Sequence, residues 1–271
     1  MDDSAFARLL DFFGGSWKGY RKVRKGVKKR IDRHMRELGC PTLTAYLDRL
    51  ASYPDARAAA RRRMTVPISR FFRDRRLWDI LSDRVIPELL DSGENPVRVW
   101  FAGCSRGEEP YSFRMLWEEV RDRHSRMPRL EILATDMEPE RLELAKAGSY
   151  LPSSLGEVDA GRRERFFIQT GNRFTVRPKF REGIAWAVHD LLEDPPPGNE
   201  VHILFLRNSI LTYELPERRD AAFFRAIAAL RPGGFLVIGA KEEMPPGAEA
   251  VFSGYDRYVY RKIILPLYMD S

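Results

Sequence analysis

The chain is poor in the residues that build metal centres and disulfide frameworks. It has 2 cysteines, Cys40 and Cys104, and 4 histidines, His34, His124, His189 and His202, among 271 residues. Two distant cysteines make no framework, and the scattered histidines show no metal-ligand spacing, so no metal site is expected. Long apolar runs are missing too. None approaches the ~18–20 residues needed to cross a bilayer, so no membrane insertion is expected. The start, Met1-Asp2-Asp3-Ser4, is acidic and lacks the basic n-region and apolar core of a signal peptide. There is no internal repeat and no low-complexity segment. These absences predict a folded, cytoplasmic protein. A hydrophobic content of 44% and a charged content of 31% fit that class. The length suits one large domain, or a moderate domain plus a small one.

What is present is unevenly spread. The net charge is +7, and between Lys18 and Arg36 basic residues outnumber acids ten to one, Asp32 being the acid. A basic surface attracts an acidic partner, whether protein helix, nucleic acid or anionic lipid, and charge alone does not choose among them. Val23, Val27, Ile31, Met35 and Leu38 recur at three- and four-residue spacing, which predicts an amphipathic helix ending near Gly39. A cap and short helix are expected at Pro41–Leu47, and another helix at Ala56–Arg63. The first ~85 residues therefore read as helical.

From Val97 the pattern alternates. Strands are expected at Val97–Ala102, Leu130–Asp136, Ala185–Val188, His202–Leu206, Gly234–Ile238 and Tyr255–Arg261. Helices are expected at about Pro110–Arg121, Glu138–Ala147 and Pro216–Leu230. Such alternation implies a parallel sheet covered on both faces. Residues 152–184 break it. Phe166–Ile168 and Phe174–Val176, separated by Gly171-Asn172, read as an inserted β-hairpin.

The first strand runs into Gly103, and the second ends in Asp136. In an open α/β sheet, ligands bind beyond the carboxyl ends of the strands, and an acid at the second strand's end suits a ribose. The loop Gly103-Cys104-Ser105-Arg106-Gly107-Glu108-Glu109 carries two acids at a helix start. They would repel a pyrophosphate but suit a ligand with an ammonium group. This points away from a dinucleotide and toward S-adenosylmethionine.

At these residues the chain resembles the CheR family of chemotaxis-receptor methyltransferases, which methylate glutamate side chains. The family's A-G-C-S-T-G-E-E-P-Y-S motif matches Ala102–Ser112 with one change, Arg106. T-x-F-F-R matches Ser69-Arg70-Phe71-Phe72-Arg73, and A-T/S-D-I-D matches Ala134–Glu138. G-x-Y matches Gly148-Ser149-Tyr150, and N/D-L-L matches Asp190-Leu191-Leu192. C-R-N-V matches Leu206-Arg207-Asn208-Ser209, and L-x-P-G-G matches Leu230–Gly234.

The resemblance implies a Rossmann-like class I methyltransferase with a mostly parallel seven-stranded sheet and a small β-subdomain inserted at about 152–184. It divides the chain into a basic helical domain, 1–84, and an S-adenosylmethionine-binding domain, 85–271. It places Ser69 and Arg73 at the methionyl carboxylate and reacting centre. Ala102, Gly103 and Glu109 would line the methionyl end, with Glu109 on the ammonium. Asp136 and Met137 would hold the ribose, Asp190 and Leu191 would edge the adenine, and Arg207 and Asn208 would close the site. It makes Arg73 and Tyr213 the catalytic candidates and an acidic helical chemoreceptor domain the partner. The inserted hairpin is short for gripping a receptor tail peptide, so no dependence on one is expected.

Four departures stand at functional positions. Thr212 occupies the family's tyrosine position, with Tyr213 one residue later. Lys241 replaces serine in Gly239-Ala240-Lys241-Glu242, Pro67-Ile68 replaces Asn-Glu, and Arg106 replaces a small hydroxyl residue. These put the acceptor in question more than the fold. Another acceptor, RNA included, or a non-catalytic regulator binding S-adenosylmethionine or S-adenosylhomocysteine, is the alternative.

Overall fold

The computed structural model describes residues 1–66 and 69–263; Pro67 and Ile68 lie outside it. Five helices come first. α1 (Asp3–Phe13) is capped by the Asp2 side chain, which accepts from the Ala5 N–H. α2 (Trp17–Tyr20) is a single turn, followed by α3 (Arg24–Glu37). α4 (Leu43–Ser52) is capped by Thr42, and α5 (Pro54–Met64) opens on a proline, whose missing N–H costs nothing there. The apolar stripe of α3 packs as its spacing requires. Val27 and Ile31 are buried with Phe6, Leu10, Tyr46 and Leu50, while Val23, Met35 and Leu38 close the edge. Lys25, Lys29 and Arg33 stay exposed on the other faces.

Next come α6 (Arg75–Ile80), a π turn at Leu81–Val85 and α7 (Ile86–Asp91), one continuous helical run. Pro87 has no N–H for the α-ladder, and the π turn lies directly before it. Leu77, Trp78, Leu81 and Val85 belong to the core beneath the sheet. The expected division at residue 84/85 therefore falls inside a helix that packs as one piece.

The remaining elements alternate. β1 (Val97–Ala102) leads to α8 (Glu108–Arg121), and β2 (Leu130–Asp136) to α9 (Pro139–Ala147). β3 (Ser149–Tyr150), α10 (Ala160–Phe166), β4 (Phe167–Thr170), β5 (Arg173–Val176) and α11 (Pro178–Arg181) follow. Then come β6 (Ile184–Val188), β7 (Val201–Phe205), α12 (Ile210–Tyr213), α13 (Pro216–Ala228), β8 (Leu230–Val237), β9 (Phe252–Gly254) and β10 (Val259–Lys262). Seven strands form one sheet in the order β6-β2-β1-β7-β8-β10-β9. All run parallel except β10, which is antiparallel to both its neighbours. Trp100 and Phe101, adjacent on β1, are both buried, in cores on opposite faces. This is the two-sided burial of a parallel sheet.

Two expectations need correction. The single strand foreseen at Tyr255–Arg261 is the end of a hairpin. Asp256 and Arg257 turn the chain, with the Tyr255 N–H donating to the Val259 carbonyl, so β9 and β10 lie side by side. The inserted hairpin, with its turn at Gly171-Asn172, is part of a three-stranded sheet of order β3-β5-β4. Its third strand, β3, begins at Ser149, ahead of the expected boundary. Two residues are too few for an alternation to show, and only the pairing of Ser149 with Thr175 reveals it.

Candidate active site

The carboxyl ends of β1, β2, β6 and β7 open into one cavity. The turn after β1 is shaped by backbone requirements. Gly103 and Cys104 both donate to the Thr135 carbonyl, at 2.9 and 2.8 Å. Gly107 has φ +86°, and a Cβ there would stand 2.8 Å from Trp186 and 2.9 Å from Ala145. Only glycine suits that position. Asp136 then holds the loop. One carboxylate oxygen accepts from the Ser105 N–H at 2.8 Å and the other from the Glu138 N–H at 3.1 Å. Burial pushes the Asp136 carboxyl above the usual range, while Arg141 and the two N–H groups pull it down.

The two acids at the start of α8 part company. Glu109 lines the cavity. Glu108 turns inward, 2% exposed, beside Ser154, and burial raises its pKa. Only one of the pair is therefore available to a ligand. Glu109 pairs with Arg207, whose other guanidinium nitrogen pairs with Asp74. The Arg207 side chain is 1% exposed, while its partners Asp74 and Glu109 keep 30% and 20% of theirs exposed.

Of the residues named from sequence, Ser69, Arg73, Gly103, Glu109, Asp136, Met137, Asp190, Leu191, Arg207, Asn208 and Tyr213 meet on this cavity. Ala102 does not. It is 3% exposed, its side chain packed in the core with Leu191 and Leu204, and β1 delivers Gly103 to the cavity instead. Arg106 is not on the cavity wall either. Its carbonyl accepts from the Tyr150 hydroxyl at 2.6 Å, and its charge acts on Glu108. Lys241 is exposed, away from the cavity.

The tyrosine question has a geometric answer. The Thr212 hydroxyl donates to Glu242. Glu242 also accepts from the Asn208 and Gly239 N–H groups, at 2.9 and 2.7 Å. Thr212 is thus tied behind the loop, and Tyr213 faces the cavity. Tyr213 packs against Tyr20 with ring centroids 5.0 Å apart. Burial raises its hydroxyl pKa and the Arg73 charge opposes the rise.

Sequence reasoning missed the wall supplied by the N-terminal helices. Phe13, Tyr20, Arg61, Met64 and Thr65 line the cavity from that side. Arg61 grips Asp190 through two bonds, 2.7 and 3.1 Å, across 129 residues of chain. No local spacing announces such a pair. His189 and Glu214 were also missed, although each adjoins a recognised motif. The cavity suits a polar ligand. His189, Ser209 and Glu214 line it, and their Nδ1, Oγ and Oε2 atoms are buried without hydrogen-bond partners, while Gly103 leaves room where a Cβ would come within 3.3 Å of Ser209. Among the described residues no group of three or more His, Cys, Asp or Glu could hold a metal. No helix among them is long and apolar enough to cross a membrane.

Strand order, glycine turn and the acid on β2 define a class I methyltransferase that takes S-adenosylmethionine. The family described as CheR methyltransferase, SAM binding domain, matches residues 68–260. The chain belongs to this family. It is 36% identical over 200 residues to a chemotaxis protein methyltransferase of Listeria monocytogenes, covering 73% of this chain and 74% of that one. It is 30% identical over 224 residues to chemotaxis protein methyltransferase 1 of Pseudomonas aeruginosa, covering 80% and 81%. An uncharacterized 104.1 kDa protein of Rhodobacter capsulatus is 37% identical over 220 residues, 80% of this chain but only 23% of that protein.

Proposed function

We propose that the enzyme methylates glutamate side chains on an acidic helical segment of a chemoreceptor-like protein. The observation that carries this reading is that Arg73 and Tyr213 both line the cofactor cavity, close enough for the Arg73 charge to act on the Tyr213 hydroxyl. A glutamate, with a reference pKa near ~4.3, is already ionised at neutral pH and needs no base. It needs to be oriented and stripped of water beside the methyl group. An arginine and a tyrosine hydroxyl both donate to a carboxylate, so Arg73 and Tyr213 are suited to hold it. S-adenosylmethionine supplies the electrophilic methyl group when bound.

The remaining wall suits that cofactor part by part. Glu109 takes the ammonium, with Gly103 giving the backbone room. Ser69 and Arg73 face the methionyl carboxylate and the reacting centre, Arg73 standing on the acceptor's side. Asp136, already holding the loop, has lone pairs left for ribose hydroxyls, with Met137 beside it. Asp190 and Leu191 edge the adenine, and Arg207 with Asn208 closes the end of β7. The helical unit divides from the rest between Met64 and Phe71, where the core membership changes. Its exposed Lys18, Arg21, Lys22, Lys25, Lys29 and Arg33 suit an acidic helix bundle. The relatives named as chemotaxis methyltransferases support the same acceptor class.

The test is incubation with methyl-labelled cofactor and a chemoreceptor cytoplasmic fragment. Label released by mild alkali is the expected result, because carboxyl methyl esters hydrolyse readily. Alkali-stable label, or label appearing on RNA instead, overturns the proposal.

A further inference from the structure

The link between α1 and α2 clamps the loop that carries Tyr213. The Ser16 N–H donates to the Tyr213 carbonyl at 2.7 Å, and the Leu215 N–H donates to the Gly14 carbonyl at 2.8 Å. Between these bonds Gly15 and Glu214 form an isolated antiparallel bridge. The turn of helix that follows presses on the same loop. A Cβ on Gly19 would overlap the Thr212 carbonyl oxygen and stand 3.3 Å from the Tyr213 Cα. Glycine is required there by the close approach of two backbones.

Tyr20 completes the clamp. Its buried ring packs on Tyr213, and behind it stands edge-on to Phe6 with centroids 6.0 Å apart. Phe6 sits in the core of the helical unit with Val27 and Ile31 of α3, so Tyr20 is anchored from behind. The Tyr213 side has less support of its own. α12 is a single turn, Ile210–Tyr213, without a side-chain cap. One turn of helix is not stable by itself and takes its place from what it packs against.

We infer that Gly19 and Tyr20 are positioning residues for methyl transfer: they set the place of the Tyr213 ring in the cavity and act through it. This rests on the reading of Tyr213 as a holder of the acceptor carboxylate. The helical unit then does more than offer a basic face to a partner, because its first turn completes the acceptor site. Tyr20 itself lines the cavity, so the experiment separates its ring from its hydroxyl.

The experiment is steady-state methylation of a chemoreceptor cytoplasmic fragment by the full chain, with calorimetry for S-adenosylhomocysteine beside it. Gly19→Ala and Tyr20→Ala should each lower kcat by about tenfold, with KM and S-adenosylhomocysteine affinity within about threefold of wild type. Tyr20→Phe keeps the ring and should recover kcat to within about threefold. In a Tyr213→Phe background, Gly19→Ala should cost no more than about twofold further, because the group it displaces is already gone. Additive losses in that double variant overturn the inference. So does a Gly19→Ala enzyme with full kcat, or a loss of S-adenosylhomocysteine affinity as large as the loss of kcat. Tyr20→Phe as slow as Tyr20→Ala also overturns it and places the Tyr20 hydroxyl on a substrate. A Tyr213→Phe enzyme as fast as wild type, or a wild-type enzyme that leaves the fragment unlabelled, overturns the underlying reading and this inference with it. If Gly19→Ala fails to fold, the same double-variant comparison with Tyr20→Ala decides.

Discussion

The two ends of the cavity are built from different materials. At the tips of β1 and β2, the wall is backbone geometry and short local bonds: Gly103, Gly107 and the Asp136 carboxylate on two N–H groups. At the tip of β7 and along residues 61–66 and 69–74, the wall carries long charged side chains joined across distant segments: Arg207 with Glu109 and Asp74, and Arg61 with Asp190. The departure at Thr212 belongs to this second end. A methyl donor is the same molecule for every enzyme that uses it, and a rigid backbone nest suits a fixed ligand. In the reading proposed above the side-chain wall also serves this ligand, through Glu109, Asp190 and Arg207, but side chains change more cheaply than turns, and the departure at Thr212 is a side-chain change.

The sharpest way to break this contrast is at Arg207. Its guanidinium is buried between two carboxylates. Arg207→Ala leaves Glu109 and Asp74 facing each other without their cation. Removing one partner of a fully buried charge cluster costs about 3–5 kcal/mol, and the 30% and 20% exposure left to Asp74 and Glu109 lowers this to about 1–3 kcal/mol. Urea denaturation should show a loss of that size. Arg207→Lys should recover only part of it, because an ammonium cannot present two parallel faces to two carboxylates. If Arg207→Ala unfolds at the wild-type urea concentration, the second end does not depend on its ion pairs.

The same contrast explains what was legible in the sequence. The glycine turn, the acid ending β2 and the strands β1, β2, β6 and β7 follow from local periods and turn chemistry, and the sequence places them within a residue, while β8 begins four residues before its expected start and β9 is not foreseen. The α3 stripe was legible for the same reason. What escaped was non-local. Arg61 sits in an Ala- and Arg-rich helix whose pattern gives the helix but not its hold on Asp190. Glu108 and Glu109 look equivalent in sequence, yet one helical step sends the first into the core and the second to the cavity. Ala102 matched a motif letter while its side chain pointed the other way. A motif records which backbone is needed, and only the fold says which side chains reach the ligand.

Glu214 tests the second end by pH. It lines the cavity, and burial raises its carboxyl pKa to about 7, against the opposing charges of Arg218 and Arg61. The folded protein holds this proton more tightly than the unfolded chain, whose glutamate titrates near ~4.3. The stabilisation is therefore complete below about pH 4 and is lost as pH rises toward 7. Glu214→Gln has no such loss. At pH 8 the variant should be more stable than wild type by on the order of 2–3 kcal/mol, and near pH 4 the difference should vanish. Chemical denaturation across that range measures it. Parallel curves for the two proteins would mean that Glu214 is ionised in the fold, and that the cation-rich end compensates it fully.

The smallest effect separates neighbouring residues. Thr212 stands at the family's tyrosine position but is committed to Glu242, whose oxygens also take the Asn208 and Gly239 N–H groups. Tyr213 reaches the cavity beside the Arg73 charge. If Tyr213 orients the acceptor, Tyr213→Phe should lower kcat by about 10–30-fold, roughly 1.4–2 kcal/mol, and leave S-adenosylhomocysteine affinity within about twofold. Thr212→Val removes a hydroxyl from a buried carboxylate, so its cost should appear in stability, about 1–2 kcal/mol, before it appears in turnover. The reverse pattern, with Thr212→Val slow and stable and Tyr213→Phe unchanged, would mean that the loop after β7 rearranges when acceptor binds. The second end would then differ from the first in motion as well as in material, because the carboxylate anchor at Glu242 would have to release Thr212 for the rearrangement to occur.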